Sequence, residues 1–146
     1  MSLTGDIRTA LLAMDAVTAL VGTGGASRIR PDRLDDRDDK DEEHIIVEID
    51  RATPQNDLSG LGGLTYAEVN ISCRAATRSQ ADALATAVKR NGTDPGTGLA
   101  GYGGSGTEFH SVLEDEVNSE TPREDGSQKT WYTVEQTYIM SQQEAT

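Results

Sequence analysis

Apolar positions along the chain follow two periods, and the cleanest run of each lies between Leu64 and Gly92. Over residues 64–74, Ala67, Val69, Ile71 and Cys73 alternate with Glu68, Asn70, Ser72 and Arg74. A period of two marks a strand with one covered face. From about residue 78 to 91 the period changes. Ala81, Leu84, Ala85 and Val88 fall at i, i+3, i+4 and i+7, which is one face of an amphipathic helix. Thr77 is placed to cap that helix, with Gln80 completing a capping box. Gly92 is placed to end it in a left-handed C-cap. Only residues 75–77 separate the two elements, so the helix is expected to fold back over the strand's apolar face. Burying Leu84 and Val88 there contributes roughly 1.5–3 kcal/mol each before entropy is counted.

The same reading places the other elements. Ile7, Ala10, Leu11, Met14, Val17 and Val21 form the stripe of a first helix. Thr4 can cap it, Asp15 can restart it, and Gly22, Gly24 and Gly25 end it. Residues 44–50 read as a strong strand, with Ile45, Val47 and Ile49 on one face and Ile46, Glu48 and Asp50 on the other. Residues 53–63 read as a turn-rich loop around Pro54, Asn56, Asp57 and three glycines. A further strand over 107–117 puts Phe109, Leu113 and Val117 on one face and Val112 on the other. Residues 118–128 read as a polar turn marked by Pro122 and Asp125-Gly126. The last strand, 129–140, has Tyr132, Val134, Tyr138 and Met140 on one face and Trp131, Thr133, Glu135, Thr137 and Ile139 on the other. A frayed tail over 141–146 follows. The fold class expected is α+β: an antiparallel, mostly meandering sheet of about four to five strands with two helices packed on one face. Residues 1–146 are expected to form a single domain.

Composition narrows the function. The formal net charge is −12, from 13 Lys and Arg against 25 Asp and Glu. A surface that neutralises phosphates needs clustered cations, so nucleic-acid binding is disfavoured, though a wall that DNA passes without sticking is not. Cys73 is the one cysteine, which excludes an intrachain disulfide, and its place in the apolar register marks it as a small hydrophobe. The first residues lack a basic region followed by an apolar run, so no signal peptide is expected. No segment approaches the roughly 20 apolar residues that span a bilayer.

Candidate chemistry is sparse. Residues 35–43 carry seven acids against Arg37 and Lys40. A calcium loop needs a glycine at its sixth position and a late bidentate glutamate, and both are missing, so a solvated loop is expected instead. Gly96-Thr-Gly98-Leu-Ala-Gly101 spells the dinucleotide fingerprint, but it follows a helix and runs into Gly103-Gly104-Ser105. The chemistry requires a preceding strand and a following helix, so the stretch is read as a flexible loop ordered against a neighbour. His44 and His110 are the only imidazoles, and no nucleophile elbow, zinc-ligand spacing or phosphate-loop lysine accompanies them. The expectation is no enzyme: no catalytic residue, no cofactor and no metal ligand.

Leu58-Ser-Gly60, Gly63-Leu64, Val69-Asn-Ile-Ser-Cys73-Arg-Ala75, Thr77 and the Ala/Leu-rich helix from Gln80 to Val88 resemble the tail completion, or tail terminator, proteins of long-tailed bacteriophages. That family often shows a Val-Gln-Ile-Asp-Cys-aromatic-Ala strand, then Thr, two spacers and a Glu-Ala-x-x-Leu-Ala helix. Here Asn70 stands for the Gln, Ser72 for the Asp, Arg74 for the aromatic and Gln80 for the Glu. The resemblance implies a structural virion protein forming a ring, usually hexameric, that caps the tail tube and joins it to the head connector. The partners implied are copies of itself, the tail tube protein and the head connector or stopper protein. DNA would pass through the lumen without specific binding, and no membrane is involved. Sheet edges and the loops 35–43, 92–106 and 118–127 would make the contacts. The location implied is the tail and neck of the virion, with the host cytoplasm during assembly. Another neck component, such as a head-closure or adaptor protein, is the alternative, followed by a free-standing acidic binding module or small enzyme.

Overall fold

The stripe from Ile7 to Val21 is buried along its length, but two helices carry it instead of one. In the computed structural model, which describes residues 3–23, 27–31, 42–57, 60–92, 98–103, 109–122 and 129–143, α1 spans Leu3–Leu12 and α2 spans Asp15–Val21. Between them Met14 is extended, with φ −90° and ψ 110°, and Asp15 restarts the helix. Thr4 lies inside α1 and does not cap it. Met14 offers α2 no side-chain cap. One arrives from far along the chain: the Ala16 N–H donates to Asn91 Oδ1 at 3.3 Å. At the far end of α2, the Arg28 guanidinium donates to Leu20 O at 2.8 Å, satisfying one of the orphan carbonyls that end a helix. From α1, Asp6 accepts a hydrogen bond from the Gln142 amide.

Five strands follow: β1 (Ile29–Pro31), β2 (His44–Asp57), β3 (Gly60–Ala75), β4 (His110–Pro122) and β5 (Thr130–Gln143), with α3 (Arg78–Arg90) between β3 and β4. They form one sheet in the order β1-β2-β3-β5-β4. The sheet is mixed, which corrects the antiparallel expectation. β1 runs parallel to β2, with Ile29 beside Ile45, while the other neighbours are antiparallel. A parallel neighbour needs a long connection in place of a hairpin, and residues 32–43 supply it; three residues of strand carry no pattern that could reveal direction. Among the described residues the helices number three, not two. The order is also not a simple meander, because β5 inserts between β3 and β4.

The turn-rich reading of 53–63 is corrected as well. The β2–β3 ladder continues from Ala52 opposite Ala67 out to Asp57 opposite Gly60. Backbone pairing decides the matter here, and propensity is the weaker influence on strands. Residues 118–122 and 141–143 are likewise strand, where a turn and a frayed tail were expected. The remainder of those two stretches, and residues 32–41, lie outside the described residues.

One face of the sheet makes the core. Ile45 and Val47 of β2, every second residue from Ala67 to Ala75 of β3, and Val134, Tyr138 and Met140 of β5 share a buried cluster with Ala81, Leu84, Ala85, Ala87 and Val88 of α3. α3 touches both β3 and β5. Its start is built as expected: the Gln80 N–H donates to Thr77 Oγ1 at 3.2 Å. Gln80's side chain then accepts from the Thr77 hydroxyl instead of reaching the backbone. Its end differs by one position. Asn91, with φ 48° and ψ 61°, is the left-handed C-cap and Gly92 follows with φ +77°.

Two features after α3 depart from the sequence reading. Residues 98–103 fold back on the chain's own elements instead of waiting for a neighbour. The Leu99 N–H donates to Val88 O at 2.8 Å and the Ser111 N–H to Tyr102 O at 2.8 Å. Tyr102 stacks on Phe109 with ring centroids 4.8 Å apart. Gly98 sits so close to α3 that a Cβ would stand 2.1 Å from Lys89 O. In β4 the register shifts between Leu113 and Asp115, leaving Glu114 as an extra residue. Such an insertion flips every later side chain to the other face. Leu113 pairs with core-facing Tyr138, while Val117 pairs with Glu135 and so shares Val112's face, not Leu113's.

Candidate interaction surface

His44 and His110 do not converge. His44 opens β2 opposite Arg74, and His110 opens β4 opposite Ser141, which in turn faces Tyr66. Along β3 that is a separation of roughly 26 Å. The His44 ring is fully buried, meets Trp131 edge to face at 5.0 Å, and has Nδ1 3.3 Å from Glu42 O. His110 is exposed, and its ring covers Gly103 so closely that a Cβ there would meet Nδ1 at 2.3 Å. Cys73 lies in the core. Burial pushes its thiol well above the ordinary range and the Glu116 carboxylate adds to the effect, so the reactive thiolate is suppressed at neutral pH. Among the described residues no group of three or more His, Cys, Asp or Glu is placed to hold a metal ion, and no helix is long and apolar enough to cross a membrane.

The polar chemistry that does converge ties elements together. Gln136 follows the core-facing alternation of β5 and is fully buried. Its Nε2 donates to Ala85 O at 3.0 Å and to Glu116 Oε2 at 2.9 Å, and its Oε1 accepts from the Tyr138 hydroxyl at 2.8 Å. Glu116 also meets Lys89 Nζ at 3.1 Å. One amide therefore joins α3, β4 and β5; its bonds to Ala85 O and the Tyr138 hydroxyl are buried, where an unmade one would be costly. Burial pushes the Tyr138 phenol well above its ordinary value, with charge on Cys73 and Glu116 acting the same way. Arg78, at the start of α3, reaches the other end of β4: it donates to Thr133 O at 3.3 Å and Ser119 O at 3.0 Å.

The sheet's opposite face divides in two. At one end His44, Ile46, Ser72 and Thr133 are buried, with Arg74 over the Trp131 ring at 5.2 Å. Toward the other end, and along β4, large apolar groups stand in water. Val112 is 64% exposed and Val117 49%, on β4; Ile139, directly opposite Val112, is 38% exposed, and Tyr66 on β3 is 43% exposed. Glu68 lies opposite Ile139, Asp115 and Glu135 lie alongside, and this end of the face is acidic around its apolar centre. Val117 stands apart, opposite Glu135 and separated from Val112 by Asp115, while Val112, Ile139 and Tyr66 lie on three adjacent strands; exposed apolar groups gathered across neighbouring strands mark a contact surface. Pattern reading listed these residues by face; only the β4 register shift shows that Val117 joins them.

No family model matches the chain, and no curated protein matches it. Among solved structures it is similar to a chain of the virion of a native gene transfer agent particle. The TM-score is 0.53 at 17% sequence identity, over 95% of this chain and 95% of that one. At that identity the likeness establishes a shared fold.

Proposed function

We propose that this chain is a structural component of a phage-like virion, and within it the tail terminator. The observation that carries the reading is the fold shared end to end with a chain of a gene transfer agent virion. The tail terminator resemblance over residues 58–88, drawn from sequence, supports the same assignment. The surface agrees in character: polar groups knit elements together, and exposed apolar side chains lie on a sheet face.

In this reading the chain acts by fitting against neighbours, without catalytic residue, cofactor or metal, as one domain. A heterologous contact repeated about an axis closes into a ring when its rotation closes. One face of the ring, a hexamer by resemblance, meets the last ring of the tail tube and halts its growth; the other meets the head connector. With a net charge of −12, acidic side chains lining the lumen would repel DNA phosphates and let the genome pass.

The test is tube assembly in vitro. Tube protein polymerised with this chain present should give short tubes, each ending in a ring of this chain seen by electron microscopy. Tubes that grow unchecked, with this chain remaining apart from their ends, would remove the terminator assignment. Binding at the head connector alone would move the chain to a head-closure or adaptor role.

A further inference from the structure

The sheet has two edges, and the chain treats them differently. β1, at one edge, is three residues long and ends in Pro31, which has no N–H; its Ile29 O accepts from Arg8 Nε at 3.4 Å. Short length, proline and a covering side chain are the usual ways to keep an edge from pairing. β4, at the other edge, runs for 13 residues.

The hydrogen bonds of Ser111 show which backbone groups of β4 turn away from β5. Its N–H donates to Tyr102 O and its C=O accepts from the Gly101 N–H, so both point outward. Outward direction recurs every second residue, shifted by one at Glu114. Leu113, Glu116, Asn118 and Glu120 therefore also aim their N–H and C=O groups off the edge, and the described structure places no strand beside them. The Glu116 N–H is taken by its neighbour's carboxylate, Asp115 Oδ1, at 2.9 Å; among the described residues no strand covers the row beyond Ser111.

We infer that this open edge of β4 receives an extended segment of a different protein, a strand in which cationic and β-branched residues alternate. Strand addition supplies main-chain hydrogen bonds, and alternate side chains supply the choice of partner. The choice is written in charge. β4 carries Glu114, Asp115 and Glu120, besides Glu116 which Lys89 already pairs, and no Lys or Arg. A second copy's β4 laid against it would set carboxylates opposite carboxylates, which is destabilising. A strand bearing Lys or Arg would meet them favourably, and its β-branched residues would pack beside Val112 and Val117, which flank Asp115 on the other face of β4. This assignment stands whichever particle the chain belongs to.

The probe is a short synthetic peptide alternating lysine and valine, titrated into the full chain and followed by backbone amide NMR and hydrogen exchange. Binding should slow exchange at Leu113, Asn118 and Glu120. Replacing lysine by glutamate in the peptide should abolish binding. Methylating the peptide's backbone nitrogens should also abolish it, since a merely ionic attraction would survive that change. Asn118→Pro removes an outward N–H without touching the ladder to β5, and should weaken binding by roughly tenfold or more. Retained binding of the methylated peptide, or protection elsewhere on the sheet, would overturn the inference. So would protection of these amides by self-association in the absence of peptide.

Discussion

Lys89 of α3 and Glu116 of β4 meet with the ammonium 3.1 Å from the carboxylate, and they do so where β4 has almost no apolar contact to hold it. From Glu114 to Asn118 every side chain of β4 is exposed to some degree that puts it at the surface. The ladder to β5 and this pair, with Gln136 behind it, hold the strand's position. A double-mutant cycle on Lys89→Ala and Glu116→Ala, read by urea unfolding, should give a coupling of about 1 kcal/mol that shrinks at high salt. Coupling near zero would reduce the pair to a surface coincidence.

Gln136 and Tyr138 form the buried half of the same arrangement. Tyr138→Phe removes one bond and leaves Gln136 Oε1 without it, at a cost of about 1 kcal/mol; Gln136→Leu leaves the Tyr138 hydroxyl buried with no acceptor, at a cost of roughly 1–3 kcal/mol. The double variant should be more stable than the sum of the two costs implies, because the second change removes the group the first stranded. Additive losses would show that the two side chains do not act together.

Cys73 and Tyr138 both keep their protons in the folded chain to higher pH than in the unfolded one, because burial disfavours their charged forms. Above about pH 9 for the thiol, and about pH 10 for the phenol, the unfolded chain ionises and binds fewer protons. Their contribution is fully present below that window and is lost as pH rises through it, by up to about 1.4 kcal/mol per pH unit for each group. Cys73→Ala should flatten the decline between roughly pH 9 and 11 by the thiol's share, measured as the change in urea midpoint with pH. An unchanged slope would mean that the thiol is not protected.

Gly98 should tolerate no side chain. A Cβ there would press on the Lys89 carbonyl, a backbone group that cannot rotate away. Gly98→Ala should cost about 1–3 kcal/mol, the range for overpacking, and should lower the thermal midpoint. A neutral outcome would mean that the return of residues 98–103 to α3 is loose.

Much of this was legible because burial imposes periods. The buried alternation of β3 and β5, the stripe of α3 and the Thr77 cap are consequences of local spacing. What local spacing cannot carry was missed. Asn91 caps α2 from 75 positions away, and a glycine next to it had drawn the C-cap reading. Gln136 was passed over on β5 because a polar residue in an apolar register has no meaning until its partners are known. Gly98 and Gly101 spell a nucleotide signature, yet the first is set by close approach to a helix and the second by its φ of +83°. The surface was legible only as a list of outward residues, since Val117 was assigned to the wrong side.

That misassignment has a physical counterpart in the molecule. The observed register leaves a valine wet and sets Glu116 beside Lys89 of α3. Deleting Glu114 would keep Val117 on that side with regular pairing, so the bulge serves to absorb one residue and not to aim the valine.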